Sequence, residues 1–275
     1  LNAMTFPDKT MYPVASRNDR DFQNLMDVYL DAVFYPAMRT NPQVLMQEGW
    51  HYELEDADAP LSYSGVVYNE MKGALSAPDD LLGSRIMAAL YPDTTYGCES
   101  GGDPEAIPTL TQEMFLDFHA RYYHPSNSYI YLYGDMDIEE KLAYLDSAYL
   151  SHFERIPVPS RIERQKAFEG LVRKEYFYPI GAEEPLEENS FLSLNWVIGD
   201  TVDRKRVMAL QILDHALLRM QGAPLRQALI DAGLGRDVDS NYESDILQPL
   251  FSIIVSKSET ARADEFVRIV KDTLR

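Results

Sequence analysis

A chain of 275 residues, 45% of them hydrophobic, can build one large domain or two of ordinary size, and that apolar content excludes global disorder. Its formal net charge of −19 excludes a nucleic-acid partner, since gripping a phosphate backbone takes clustered Lys and Arg, and it disfavours an anionic membrane for the same reason. The charge is compatible with cationic peptide partners and with solubility alone.

Cys98 is the only cysteine, so no disulfide can form within the chain; a reducing compartment fits, with the cytoplasm expected and an organelle matrix as the other option. No apolar run approaches the roughly 20 residues that cross a bilayer. The opening "LNAMTFPDKTMYPV" has no basic region followed by an apolar one and does not read as a signal peptide. It reads as the interior of a domain, and "FVRIVKDTLR" at the other end reads as mid-helix, so a fragment of a longer protein is expected.

In chain order, residues 19–38 place Phe22, Leu25, Met26, Tyr29, Leu30, Val33 and Phe34 at helical spacing, with Asn18 or Asp19 as cap and Pro36 as stop. "GWHYELE" (49–55) predicts a short strand. "VVYNEMKGALS" predicts a helix with Val67, Glu70, Met71 and Ala74 on one face, and Pro78 opens another, "PDDLLGSRIMAALYP". Residues 92–110, rich in Gly, Pro and Thr, predict loop. Thr111 caps a helix whose expected inward face is Met114, Phe115, Phe118 and Tyr122. After the turn "HPSN" comes an expected strand, "SYIYLYGDM", then a helix over 137–153 with Leu142, Leu145, Ala148 and Tyr149 inward. Residues 154–170 are polar and Pro-containing, the best linker in the chain. Beyond it the pattern predicts strands at "VRKEYFY", "SFLSLNWVIG" and "PLFSIIVS", a long helical stretch over 203–232 and a final helix.

The residues alone offer little chemistry. The five histidines, His51, His119, His124, His152 and His215, include no i, i+4 pair for zinc; His119 and His124 suit hydrogen bonding around the turn better than metal, and His215 reads as a core or interface histidine. Cys98 lies in a Gly-rich loop with acidic neighbours, an unpromising setting for a nucleophile. No G-x-S-x-G elbow is present, and "ESGGDP" has glycines without the lysine of a phosphate loop. That loop, with Gly101 and Gly102 free to take positive φ, either shapes a cleft or merely connects helices. Glu70 lies at the edge of an apolar stripe. Spacing leaves it solvated or paired with Lys72 more readily than bound to metal, since uncompensated burial is costly and one Glu makes no metal site.

"GVVYNEMKGA", "SGGDPEAIPTLT" and "FHARYYHPSNSYIYLYGD", together with the opening "NAMTFPDKTMYPVASRNDRDFQNLMDVYLDAVF", "QEGWHYELE" and "GAPLRQALIDAGLG", resemble in order and spacing the presequence-protease branch of the insulinase (pitrilysin-like) zinc metallopeptidases. The resemblance implies an α+β fold of two similar domains, each with a mostly antiparallel sheet covered by helices and both incomplete. A truncated catalytic-type domain would span 1–155, a linker 156–170 and a second related domain 171–275. It implies a zinc-dependent endopeptidase acting on short to medium unfolded peptides, basic ones among them, inside a closed chamber. Glu70 of the "NEMKG" block would be the third protein ligand of the zinc, Asn69 and Lys72 would flank it, and Ser100, Gly101, Gly102 and Asp103 would line the peptide cleft. The family's H-x-x-E-H motif, which supplies two His ligands and the general base, occurs nowhere in this sequence. The chain alone is therefore expected to be inactive and to need the remainder of its own polypeptide. A catalytically dead structural or peptide-binding subunit of the same fold is the alternative.

Overall fold

The computed structural model describes residues 2–275. In chain order they form a short ribbon, β1 (Met4–Thr5) with β2 (Thr10–Met11), then helix α1 (Asp19–Phe34) and a second ribbon, β3 (His51–Glu53) with β4 (Ser62–Ser64). Helices α2 (Val66–Ala74), α3 (Pro78–Leu90), α4 (Gln112–Tyr122) and α5 (Ile138–Ala148) follow. The remainder is β5 (Ser190–Val197), α6 (Arg204–Asp214), α7 (Pro224–Asp231), β6 (Asp237–Glu243), β7 (Leu250–Ser258) and α8 (Ala263–Thr273). All the sheets are antiparallel, and the fold class is α+β.

Two compact units result. One comprises residues up to 77 together with 98–161; the other comprises 78–97 with 162–275. In the first, α1 begins where Asn18 accepts from the Asp21 amide and ends before Pro36, as its sequence predicts. Thr111 caps α4 through the Met114 amide, and Asp137 caps α5 through that of Glu140. Met26 and Phe34 of α1 and Leu145 of α5 are buried, and the Tyr149 hydroxyl, just beyond α5, reaches Asp31 Oδ1 at 3.0 Å.

The inward faces of α4 and α5 are in part those the apolar letters suggest: Leu145 and Tyr149 are buried, and Ala148, Phe115 and Tyr122 half-buried. Met114, Phe118 and Leu142 instead point to water, while His119 and Lys141 are buried. Hydrogen bonds explain the exchange. His119 donates from Nε2 to Val33 O at 2.8 Å, and Lys141 Nζ lies 3.2 Å from Asp19 Oδ1 and 3.3 Å from Gln23 Oε1. A polar group that finds partners can be buried as readily as an apolar one.

In the second unit β7 is central, with β5 on one side and β6 on the other. Ile253 and Val255 of β7, with Leu192 and Leu194 of β5 and Val238 of β6, pack against Leu225 and Leu229 of α7 and Phe266 and Val270 of α8. Leu250 and Ile254 take the opposite parity along β7, so they project from the other face. They join Ile86, Leu90 and Tyr91, which brings α3 into this core. Gln165, inside the expected linker, is buried: its Oε1 accepts from the Asp93 amide at 3.0 Å, and its Nε2 donates to Asp93 Oδ2 at 2.9 Å.

Two expected strands, "SYIYLYGDM" and "VRKEYFY", form no ladder. A strand exists only where a neighbour completes its hydrogen bonds, and none of the described strands pairs with either segment. Conversely β6, "DVDSNYE", is too polar to stand out; only Val238 and Ser240 alternate into the core. The helical stretch 203–232 breaks between α6 and α7, where a π-helical turn (His215–Arg219) is followed by extended backbone at Met220 and by Pro224 in the first turn of α7.

Candidate functional site

Glu70 occupies the middle of α2, and a glycine contact fixes where that helix starts. Gly65 is buried, has φ +150°, and a Cβ there would stand 2.3 Å from Gly49 O and 2.7 Å from Trp50 Cα. Only glycine lets the two backbones approach so closely. Asn69 then donates its amide to Gly65 O at 2.9 Å, and its side chain lies 3.5 Å from Ser64 Oγ. No residue of α2 is buried. The apolar stripe expected to face a core is therefore a surface stripe: Val66 and Val67 are exposed and Met71 half-buried. Glu70 and Lys72 are both exposed, and no ion pair joins them among the described residues.

Met71 carries α2 to the glycine-rich loop. A Cβ on Gly101 would fall 2.3 Å from Met71 Sδ, so the thioether sits directly on the bare Gly101 backbone. Gly102 has φ +103° and donates to Glu99 O at 3.1 Å, closing a tight turn. Asp103 ends it, its Oδ1 accepting from the Glu105 amide at 2.8 Å and its carbonyl from those of Ala106 and Ile107. Ile107 is buried and anchors the loop, while Ser100 and Asp103 remain exposed. Two of the predicted groups, the α2 block and the 100–103 loop, are thus adjacent through Met71.

The histidines do not join them. His124 Nδ1 accepts from the Ser126 amide at 3.1 Å and caps the "PSN" turn. His119 lies buried between Val33 O and Arg39. His51 Nδ1 bonds Met46 O at 2.7 Å, and His152 and His215 are exposed. For His215, expected in a core or at an interface, this excludes the core placement. The buried polar residue at that point is its neighbour Asp214, which Arg219 holds at 2.6 Å, and nothing in the letters separates the two. Among the described residues no three His, Cys, Asp or Glu side chains converge as a metal would need. Zinc takes three or four protein donors, so the donor set of this chain alone does not fit zinc, and Glu70 supplies at most one arm.

The fold and this glycine-pinned helix characterise a mixed α+β chain of two units. The model of the peptidase M16 inactive domain matches residues 109–275, and the chain belongs to that family. It is 50% identical over 275 residues to Protein HypA of Clostridium perfringens (strain 13 / Type A), covering 100% of this chain and 28% of that one. It is 46% identical over 279 residues to presequence protease 1, chloroplastic/mitochondrial, of Arabidopsis thaliana, covering 100% of this chain and 26% of that one. The resemblance read from the sequence blocks, to the presequence-protease branch of the insulinase family, stands on these matches. The chain spans about a quarter of the length of these curated relatives. A crystal structure of a peptidase M16 inactive domain from Pseudomonas fluorescens shares the fold, with TM-score 0.58 and 18% identity over 93% of this chain and 56% of that one. No helix among the described residues is long and apolar enough to cross a membrane.

Proposed function

We propose that this chain is part of a zinc-dependent metalloendopeptidase that cleaves short to medium unfolded peptides within a closed chamber. Glu70 contributes one metal ligand, with Asn69 and Lys72 beside it, and Ser100, Gly101, Gly102 and Asp103 border the peptide cleft. The remaining ligands and the general base come from the rest of its polypeptide, so the chain alone is inactive. The observation that supports this reading is the match of the whole chain, "NEMKG" block included, to a presequence protease at 46% identity. Contact between Met71 and Gly101 supports placing the loop beside the ligand helix.

In descent the chain divides into a catalytic-type domain over 1–155, a linker over 156–170 and a related second domain over 171–275. Packing divides it differently, because α3 packs on the β5–β7–β6 sheet. The substrates are unstructured peptides, basic ones among them, and neither nucleic acid nor a membrane is a partner. The Arabidopsis relative is named for the chloroplast and the mitochondrion, which supports an organelle matrix; the cytoplasm, expected from the single cysteine, finds no support in that name.

The test is Glu70→Gln in the full-length polypeptide. Turnover should be abolished and zinc retention weakened while the unfolding curve is unchanged; normal turnover would remove Glu70 from the site. A second reading, a structural or peptide-binding subunit without catalysis, draws on the description of the matched model as an inactive domain. An H-x-x-E-H segment encoded upstream of this chain decides for the enzyme, and its absence decides for the subunit.

A further inference from the structure

The β3–β4 ribbon carries an aromatic cluster that neither core uses. Tyr52 and Tyr63 are directly opposite each other in the ladder, their ring centroids 5.3 Å apart and inclined by 31°. Trp50, two residues before Tyr52 and so on the same face, stands nearly perpendicular to both, at 84° and 5.5 Å from Tyr52 and at 76° and 5.8 Å from Tyr63. Tyr68 of α2 closes the other side, 5.9 Å from Tyr63 at 63°. The corner is held in place from below: the Trp50 indole N–H donates to Leu110 O at 3.0 Å. In this chain Tyr52 is 60% and Tyr63 43% exposed.

A cluster of part-exposed aromatic rings, two of them tilted to each other and a third edge-on, suits a cation, because each ring face carries the negative part of the quadrupole. The charge around the ribbon has the matching sign. From Asn41 to Asn69 the chain has five carboxylates, Glu48, Glu53, Glu55, Asp56 and Asp58, and no Lys or Arg. None of the five takes part in an ion pair among the described residues. An apolar partner would need no such excess, and an anionic one would be repelled by it.

We propose that the Trp50–Tyr52–Tyr63 corner is a docking site for arginine side chains of unfolded cationic peptides. The guanidinium stacks on the exposed tyrosine faces, and the ribbon carboxylates draw the peptide in. The site is adjacent in sequence to Glu70 and deepens the peptide-degrading reading, on which the identity of its occupant rests. Binding itself needs neither zinc nor turnover.

The experiment measures fluorescence anisotropy of a labelled, unfolded Arg-containing peptide titrated with this chain, beside the same peptide with every Arg replaced by citrulline, its neutral isostere. The citrulline peptide should bind at least about tenfold more weakly, and added salt should weaken the Arg peptide further. Tyr52→Ala/Tyr63→Ala should lose about tenfold in affinity, the loss of two exposed cation–π contacts. Tyr52→Phe/Tyr63→Phe, which keeps both faces, should bind within about twofold of the native chain. Equal binding of the two peptides would show a merely apolar surface and overturn the proposal. So would native affinity in a folded Ala pair, or no binding of the Arg peptide at all, which would leave the corner to the rest of the polypeptide. If the Ala pair unfolds, the citrulline and Phe arms still decide. Failure here with Glu70→Gln inactive sinks the docking site alone; binding here with Glu70→Gln active sinks the ligand assignment alone.

Discussion

Arg39 Nη2 donates to His119 Nδ1 across 3.1 Å, inside a unit where His119 Nε2 already donates to Val33 O at 2.8 Å. The imidazole stacks on Tyr123, with centroids 4.7 Å apart, and the Tyr123 hydroxyl is 3.0 Å from that of Tyr12. One tautomer satisfies both bonds, with the proton on Nε2 and the lone pair on Nδ1. A second proton would point Nδ1–H at a guanidinium. Burial lowers the His119 pKa from 6.5; the bond to Val33 O opposes that shift and the Arg39 charge adds to it.

The native state therefore binds this proton less readily than the unfolded chain. Stability from this site is fully present above the unfolded value, about 6.5, and is lost as pH falls through the lower native value. Urea unfolding of the first unit should show a midpoint that drops between pH 7.5 and 5, and His119→Gln should flatten that dependence. A native slope surviving in His119→Gln would assign the acid sensitivity to other groups.

The placement of Glu70 depends on Gly65 rather than on anything α2 buries. Gly65→Ala puts a methyl 2.3 Å from Gly49 O at a φ of +150°, so the ribbon and α2 must separate. The expected cost is about 1–3 kcal/mol, confined to the first unit. Hydrogen exchange should speed up over residues 62–75 while the β5–β7–β6 sheet keeps its protection. Unchanged exchange in that segment would show that the contact does not position the helix.

Much of this architecture was legible because its signals are local. The Asn18 and Thr111 caps, the Pro36 stop and the periodicity of α1 all act within a turn or two of chain, and each lies where the letters predict it. The losses come from distance. Residues 128–136 have the β-branched and aromatic letters of a strand but no strand partner among the described residues, and β6 has a partner without the letters. Leu145 and Tyr149 are buried as their letters suggest, but the burial of His119 and Lys141 in place of Phe118 and Leu142 has no local signal, because their partners lie some 80 to 120 residues away. At the site, spacing left Glu70 undecided, and only the block resemblance singled it out. The Gly101–Met71 contact that joins the two candidate groups has no trace in either segment alone.

Lys141 Nζ is almost wholly buried, yet its carboxylate partners are exposed, Asp19 at 3.2 Å and Glu140 at 3.7 Å. Exposed partners contribute little Coulomb energy, so its buried stem, which runs from α5 to Asp19 and Gln23 of α1, does most of the stabilising. Lys141→Met should therefore lie within about 1.5 kcal/mol of the native chain, whereas Lys141→Ala should lose about 2–3 kcal/mol through the cavity it leaves. Chemical denaturation of both variants tests this; an equal loss in the two would mean that the charge, not the stem, holds the helices.

Asp214 and Arg219 pose the opposite case. The carboxylate is buried at the end of α6, and Arg219 Nε donates to its Oδ2 at 2.6 Å while Nη2 reaches Ser240 O of β6 at 2.7 Å. Oδ1 of Asp214 has no hydrogen-bond partner among the described residues, so the guanidinium is the main compensation for a buried charge. Removing it with Arg219→Met should cost about 2–3 kcal/mol, below the 3–5 typical of a fully buried pair because Arg219 is half exposed. Asp214→Asn in the Arg219→Met background should recover part of that loss, since it removes the stranded charge. A double-mutant cycle by urea denaturation gives the coupling directly. Additive losses, with no recovery in the double variant, would mean that Arg219 acts only as a tether to the Ser240 carbonyl and that Asp214 is stabilised by something other than its charge partner.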